Sequence, residues 1–502
     1  MDSAVSILER LRASGVSPTG ITADSRRLGA GQVFAAWPGF QTDGRRFIGA
    51  AIERGAAAVL WEAADGFNPG PLPVPSFAVE GLRELAGHLA HEIYARPSER
   101  LWLVGVTGTN GKTTVTQMLA GALQGLGTRC GIIGTLGNGF AGELESALNT
   151  TPDALELHRL LADFVAAGAG AAAMEVSSIG LDQGRANGAC FDVAVFTNLS
   201  RDHLDYHGSM DVYGQAKARL FELSGLGSKV INVINIDDPF GLTLARRLVG
   251  EGREVIACTC DRAGLDAVPG ARVLLADRLQ VSATGLRFTL QWDGRGVEIQ
   301  VRMVAPFDVS NLLAVAGALL ARRVAFDELQ PSLTRLTPPA GRMQLVGGVG
   351  EPLVVIDYAH TPDALVQVLQ ALRATVRSRE GRLVCVFGCG GDRDPGKRPI
   401  MGELAGRQAD RVIVTSDNPR TEDPMKILHE VAAGAGSAAE YIVDRAQAIG
   451  VAIAEAAAND VVLIAGKGHE PYQDILGQRL PFSDLEQARL ALCAWHAGGL
   501  KR

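Results

Sequence analysis

Short runs of consecutive apolar, mostly β-branched residues recur along this chain, and amphipathic stretches lie between them. Val193-Ala194-Val195-Phe196, Lys229-Val230-Ile231-Asn232-Val233, Leu383-Val384-Cys385-Val386-Phe387, Arg411-Val412-Ile413-Val414 and Val461-Val462-Leu463-Ile464 are of this kind. A strand that is apolar on both sides must be covered on both faces, as in a parallel sheet flanked by helices. The expected fold class is therefore α/β. The chain's 502 residues exceed what one hydrophobic core supports, so about three domains are expected.

Two breaks divide the chain. Ala95-Arg96-Pro97-Ser98-Glu99-Arg100 precedes the apolar run Leu101–Val106, and Leu336-Thr337-Pro338-Pro339-Ala340-Gly341-Arg342 separates a helical region, about 311–330, from Leu353-Val354-Val355-Ile356. Proline disfavours helix in the residue before it, so both read as boundaries. The expected domains are residues 1–97, 98–337 and 338–502. Within the second, residues 272–302 alternate polar and apolar around Asp293-Gly294, which predicts a hairpin insertion.

Several function classes are disfavoured. Hydrophobic residues at 47% and charged residues at 21% fit a globular enzyme rather than a disordered chain. A net charge of -7 leaves no cationic excess for a phosphate backbone, so no nucleic-acid partner is expected. Seven scattered cysteines, with only a C-x-C pair at Cys258 and Cys260, fit reduced thiols and give no zinc-finger spacing. No export signal and no membrane-spanning run is visible, and a cytoplasmic monomer is expected.

Between a buried strand and an amphipathic helix stands Val106-Thr107-Gly108-Thr109-Asn110-Gly111-Lys112-Thr113-Thr114. A glycine loop at a helix start aims backbone N–H groups at an anion, and the helix dipole adds to the field. Gly108, Thr109, Asn110, Gly111 and Thr114 would cradle a nucleotide triphosphate, Lys112 would reach its outer phosphates, and the Thr113 hydroxyl would face Mg2+. Position 106 is valine where G-x-x-x-x-G-K-[ST] has glycine, so the loop is a variant. Glu175, closing the apolar run before Val176-Ser177-Ser178, sits where α/β sheets place ligand sites and suits a second Mg2+.

Read with its neighbours, Gly108–Thr114 closely resembles the Mur ligases and their folylpolyglutamate synthetase relatives, from about Ile21 to Gln473. The resemblance implies an N-terminal α/β UDP-sugar-binding domain, a central P-loop-type parallel-sheet ATPase domain and a C-terminal Rossmann-like α/β domain that binds the amino acid. It implies ATP as substrate, an acyl phosphate made from a substrate carboxylate, and its capture by an amine. It assigns His203 of Asn198-Leu199-Ser200-Arg201-Asp202-His203 to metal, and makes Lys217 of Tyr213-Gly214-Gln215-Ala216-Lys217 a carbamate formed with CO2. A lysine held near cations has a depressed pKa, and its neutral amine can take up CO2.

The same resemblance assigns Ala23, Ser25, Phe40, Gln41 and Thr42 to the UDP-sugar, and Asn149, Thr150, Thr151, Ser177, Gln183 and Arg185 to the muramoyl dipeptide. Arg185 makes sense as a carboxylate clamp. Asn311, Arg342, Asp357 and His360 are assigned to the nucleotide, with domain closure gating the reaction. Asp417-Asn418-Pro419-Arg420 marks selection of meso-diaminopimelate over lysine, Arg420 pairing with the distal carboxylate, and Arg393, Gly466 and Glu470 complete that pocket. Two positions depart from the family: Ile179, where histidine is frequent, and Asp308, where asparagine is usual. Rival readings are the lysine-adding ligase, folylpolyglutamate synthesis and a P-loop switch that makes no bond.

Overall fold

In the computed structural model, which describes residues 3–39, 42–223, 230–436 and 439–499, the apolar runs are strands of three largely parallel sheets. The chain separates into two units, Met1–Leu274 with Ala314–Ala325, and Leu275–Leu313 with Phe326–Arg502.

In the first unit, Gly20–Thr22, Gln32–Ala36, Ala58–Glu62 and Ser76–Val79 form a parallel sheet in chain order. Successive side chains of a strand face opposite ways. Val33 and Ala35 therefore meet Ile7, Leu11 and Leu89 of the helices Ala4–Ala13 and Leu82–Ile93, while Phe34 and Ala36 meet Ile48 and Ala51.

The unit's larger sheet runs Val255–Thr259, Ile231–Asn235, Val193–Phe196, Trp102–Thr107, Ala171–Glu175, Cys130–Gly134, all parallel, with Gly137–Phe140 and Glu143–Glu145 antiparallel at one edge. The strand expected from Lys229 begins at Ile231, and Lys229 lies outside the described residues. Trp102–Thr107 lies between Ala171–Glu175 and Val193–Phe196. The chain builds outward on both sides of it, so the carboxyl ends of these three strands open a crevice.

In the second unit, Gly285–Trp292 and Arg295–Val301 pair antiparallel. Their turn, Asp293-Gly294, has φ 48° and 75°, the left-handed pair that a two-residue hairpin needs. The helical region expected over 311–330 is two helices, Phe307–Ala321 and Phe326–Thr334. Arg323 at φ 65° separates them, which hydrophobic periodicity alone does not register.

The last sheet runs Gln344–Gly347, Leu353–Asp357, Val461–Ala465, Leu383–Phe387, Arg411–Thr415, Glu440–Ile442, with only the first strand antiparallel. Val355, Cys385 and Leu463 enter one core, and Ile356, Val386 and Ile464 enter the core on the opposite face. That double burial is what makes these runs continuously apolar.

Candidate active site

The glycine loop leaves Thr107 at the carboxyl end of the central strand and enters the helix Lys112–Gly125. Gly108 has φ 148°, and a Cβ there would lie 1.8 Å from Thr197 Oγ1, so no other residue fits. Gly111, at φ 85°, caps the helix. The neighbouring strand end holds the loop from outside: the Thr109 N–H donates to Asn198 O (2.8 Å) and the Asn110 N–H to Asn198 Oδ1 (2.9 Å). The Thr109 hydroxyl donates to Ser200 O (3.2 Å) and lies 3.2 Å from the Tyr213 hydroxyl.

Two lysines converge on one oxygen of this loop. Lys112 Nζ donates to Gly108 O and Thr109 O, each at 2.8 Å, and Lys217 Nζ donates to the same Gly108 O at 2.8 Å. Lys217, from the helix Met210–Ala218, is 1% exposed and lies 4.2 Å from the Tyr213 ring centre. Burial pushes its ammonium well below the usual lysine range, and the charge of Lys112 pushes the same way.

On the loop's other side, the Thr113 hydroxyl donates to Glu175 Oε2 at 2.9 Å. Glu175, 1% exposed, also accepts from the Thr135 N–H (2.8 Å) and hydroxyl (3.1 Å). A Cβ on Gly134 would meet Glu175 Oε1 at 2.2 Å, so a glycine makes room for the carboxylate. Buried carboxylate and hydroxyl oxygens of this kind fit Mg2+, a hard cation that takes oxygen ligands. His203 lies apart from this arrangement. It is exposed, at φ 50°, and within ion-pair distance of Asp202 (3.6 Å) rather than Glu175.

Beside Glu175, Thr151 donates its hydroxyl to Glu175 O (3.0 Å) and accepts from the Ser177 N–H (2.9 Å). Arg185 Nη1 donates to Thr151 O (2.9 Å), while its Nε and Nη2 fork onto Gln183 Oε1 (3.0 and 2.7 Å). Thr150 lies 3.0 Å from the Thr135 hydroxyl, and Asn149 is exposed. A cavity of about 440 Å³, lined by Arg83, Leu181, Asp182, Gln183, Asn187 and Arg219, touches this group at Gln183 and does not include the glycine loop. In the N-terminal sheet, Ala23, Ser25 and Thr42 follow the first two strands, and Asp24 caps the turn Ser25–Arg27. Phe40 and Gln41 lie outside the described residues.

The second unit gathers two further groups. Asp357 accepts from the Met343 and Ala359 N–H groups, both at 2.8 Å. Arg342 lies over the Tyr358 ring at 4.9 Å, its buried Nε without a hydrogen-bond partner, and His360 Nδ1 is 2.9 Å from Tyr358 O. Asp308 and Asn311 are buried, and burial with the nearby Asp357 charge pushes the Asp308 carboxyl up to about 7. An asparagine there would carry no such cost.

Asp417-Asn418-Pro419-Arg420 follows the strand Arg411–Thr415. Asn418 Nδ2 donates to Glu470 Oε2 (2.8 Å), and Lys467 Nζ donates to Asn418 Oδ1 (3.0 Å) and Glu470 Oε2 (3.1 Å). Arg420 Nη1 donates to Gly391 O (2.6 Å), and a Cβ on Gly390 would lie 2.9 Å from the same nitrogen and 3.9 Å from Arg393 Cγ. Gly466 leaves space for Asp417 Oδ2, whose carboxyl burial pushes upward against the charges of Arg445 and Lys467. Beneath, the fully buried Arg445 pairs with Asp484 (2.7 Å) and donates to Ala465 O (3.1 Å), fixing this strand end. Sequence reasoning did not single out Lys467, Thr135 and Asn198, which the fold sets against Glu470, Glu175 and the glycine loop. Their position just past strand ends was the available signal.

Three family models match the chain: Mur ligase family, catalytic domain, over residues 18–94; Mur ligase middle domain over 106–319; and Mur ligase, glutamate ligase domain over 341–468. A UDP-N-acetylmuramoyl-L-alanyl-D-glutamate--2,6-diaminopimelate ligase of Ectopseudomonas mendocina is 50% identical over 490 residues, covering 96% of this chain and 97% of that protein. The protein of the same name from Pseudomonas aeruginosa is 49% identical, covering 95% of each chain. A solved structure of a ligase of that name superposes with TM-score 0.71 at 36% identity, covering 95% of both chains.

Proposed function

This chain belongs to the Mur ligase family, and from that premise we propose that it joins meso-diaminopimelate to UDP-N-acetylmuramoyl-L-alanyl-D-glutamate at the expense of ATP, in peptidoglycan precursor synthesis. Relatives of that printed name match it end to end at about half identity. Among the described residues no helix is long and apolar enough to cross a membrane. A monomer working in the cytoplasm, where ATP and the precursor are made, completes the reading.

The observation that carries it is the meeting of Lys112 and Lys217 on Gly108 O. Two ammonium groups so close repel each other, and the repulsion is relieved by an anion or by neutralising one of them. A triphosphate tail on the loop does the first. Carbamylation of Lys217 does the second: its neutral amine adds CO2 and loses a proton, leaving a carboxylate-like anion. With Glu175 and the Thr113 hydroxyl this anion would hold Mg2+, which when bound supplies positive charge to the phosphate oxygens, and His203, exposed beside Asp202, would have to turn inward to join them.

The chain's own residues then have distinct tasks. Backbone N–H groups of Gly108 and of residues 111–114, with Lys112, take the phosphates, those of Thr109 and Asn110 being held by Asn198, because phosphoryl transfer spreads negative charge over several oxygens and needs it neutralised. Asn149, Thr150, Thr151, Ser177, Gln183 and Arg185 orient the dipeptide, and Ala23, Ser25, Phe40, Gln41 and Thr42 hold the uridine sugar. Asn311, Arg342, Asp357 and His360 contact the nucleotide, Arg342 having a buried donor with no partner. Arg393, Asp417, Asn418, Pro419, Arg420, Gly466 and Glu470 form the amino-acid pocket, with Glu470 taking the distal ammonium and Lys467 holding Glu470 in place.

Phosphate release from ATP should require the UDP-muramoyl dipeptide and meso-diaminopimelate together, measured with each omitted in turn. A rate unchanged without either acceptor would identify a simple NTPase. Equal turnover with lysine would overturn the specificity.

A further inference from the structure

The larger structural surprise lies away from the glycine loop. An imidazole nitrogen of His91, a Glu99 carboxylate oxygen and Cys190 Sγ all lie within 4.8 Å of one another, and no other group of three His, Cys, Asp or Glu residues among the described residues does this. We propose that His91, Glu99 and Cys190 form a zinc site that clasps the helix Leu82–Ile93 to the segment leading into the strand Val193–Phe196.

The ligands come from three stretches: the helix Leu82–Ile93, the turn Pro97–Glu99 and the loop before Val193. Cysteine spacing along the chain therefore could not reveal the site, and the sequence reading expected no thiolate metal centre. His91 Nε2 is 3.2 Å from Glu99 Oε1. Tetrahedral zinc, with bonds of about 2.0–2.1 Å to nitrogen and oxygen, sets those two atoms about 3.3 Å apart, and sulfur needs a slightly longer edge. One edge is thus already formed. The edges to Cys190 Sγ lie within 4.8 Å, and zinc binding would require the Cys190 and exposed Glu99 side chains to turn to shorten them.

The surroundings are those of a held ligand. Ser98, buried between them, lies 3.4 Å from His91 Nδ1 and accepts the Cys190 N–H at 3.0 Å. A partner on the far imidazole nitrogen is what orients a metal-binding histidine. His158, fully buried, packs edge-on against His91 with ring centres 5.3 Å apart and fixes its plane. Glu99 opens the site to solvent, leaving an entry path and a fourth position for water. One thiolate, one imidazole and one carboxylate suit zinc, whereas Mg2+ takes oxygen alone. On coordination the metal replaces the Cys190 thiol proton, which goes to solvent.

The test uses the full chain carrying Cys260→Ser and Cys493→Ser, which removes the two exposed thiols, stripped with chelator and kept in excess Mg2+. Titration with Co2+ should give one equivalent bound with a thiolate-to-cobalt charge-transfer band, displaced by Zn2+ and lost in Cys190→Ser. Glu99→Gln, a change at an exposed side chain, should weaken Zn2+ binding by about 10-fold or more and abolish the rise in melting temperature that Zn2+ gives the parent. No band in the parent, a band surviving Cys190→Ser, or undiminished Zn2+ affinity in Glu99→Gln would each overturn the assignment.

Discussion

Lys217→Ala is expected to lose nearly all ligase turnover, by at least about 10²–10³-fold, the scale seen when one preorganised electrostatic group is removed from a charge-developing site. The reason is specific to this lysine. Its nitrogen is buried against Gly108 O beside Lys112, so its charged form is disfavoured and its amine is available for CO2. Alanine removes the anion and opens space where the side chain was. Added formate or acetate should enter that space and restore part of the rate. Lys217→Arg keeps a cation but cannot be carbamylated, and should fail as completely as alanine. Melting temperatures of the variants separate lost chemistry from lost folding. Wild-type turnover in Lys217→Arg would remove the carbamate from the account.

Arg420→Ala is expected to reduce the preference for meso-diaminopimelate over lysine by about 10²–10³-fold, as when one partner of a desolvated charge pair is truncated. The loss should appear in kcat/KM for diaminopimelate, with little change for lysine, since lysine has no distal carboxylate to lose. The structure shows this arginine held from several sides. Its N–H donates to Asp474 O, its carbonyl accepts from Leu476, and its side chain donates to Gly391 O. It holds φ 50°, an uncommon conformation for a residue with a Cβ, kept there by contacts on both sides. Such rigidity lowers the entropy cost of gripping a carboxylate. An unchanged ratio of the two substrates would place the selection elsewhere.

The parallel strands were readable because each is buried on both faces, so Val461–Ile464 or Leu383–Phe387 could hardly be anything else. The hairpin turn at Asp293-Gly294 was readable for a similar reason, since few residue pairs tolerate two left-handed positions. The glycine loop announced itself by order: strand, glycines, lysine, helix. What escaped were pairings between distant segments. Arg445 and Asp484 meet in the core across 39 positions, and neither residue differs in sequence from a surface charge. Lys467, between two glycines, reads as a solvated turn until the fold buries it against Asn418 and Glu470. The break at Arg323 escaped too, because apolar spacing continues across it. Family resemblance named His203, yet its exposed place beside Asp202 follows from local backbone that no motif encodes.

ATP is expected to activate a carboxylate of the dipeptide substrate as an acyl phosphate. The most direct test of this step starts from UDP-muramoyl dipeptide with 18O in the glutamyl carboxylate that becomes the amide, supplied with ATP, Mg2+ and meso-diaminopimelate. One carboxylate oxygen should leave with the phosphoryl group, so each inorganic phosphate released should carry one labelled atom. Phosphate without label, its new oxygen drawn from water, would rule out the acyl phosphate.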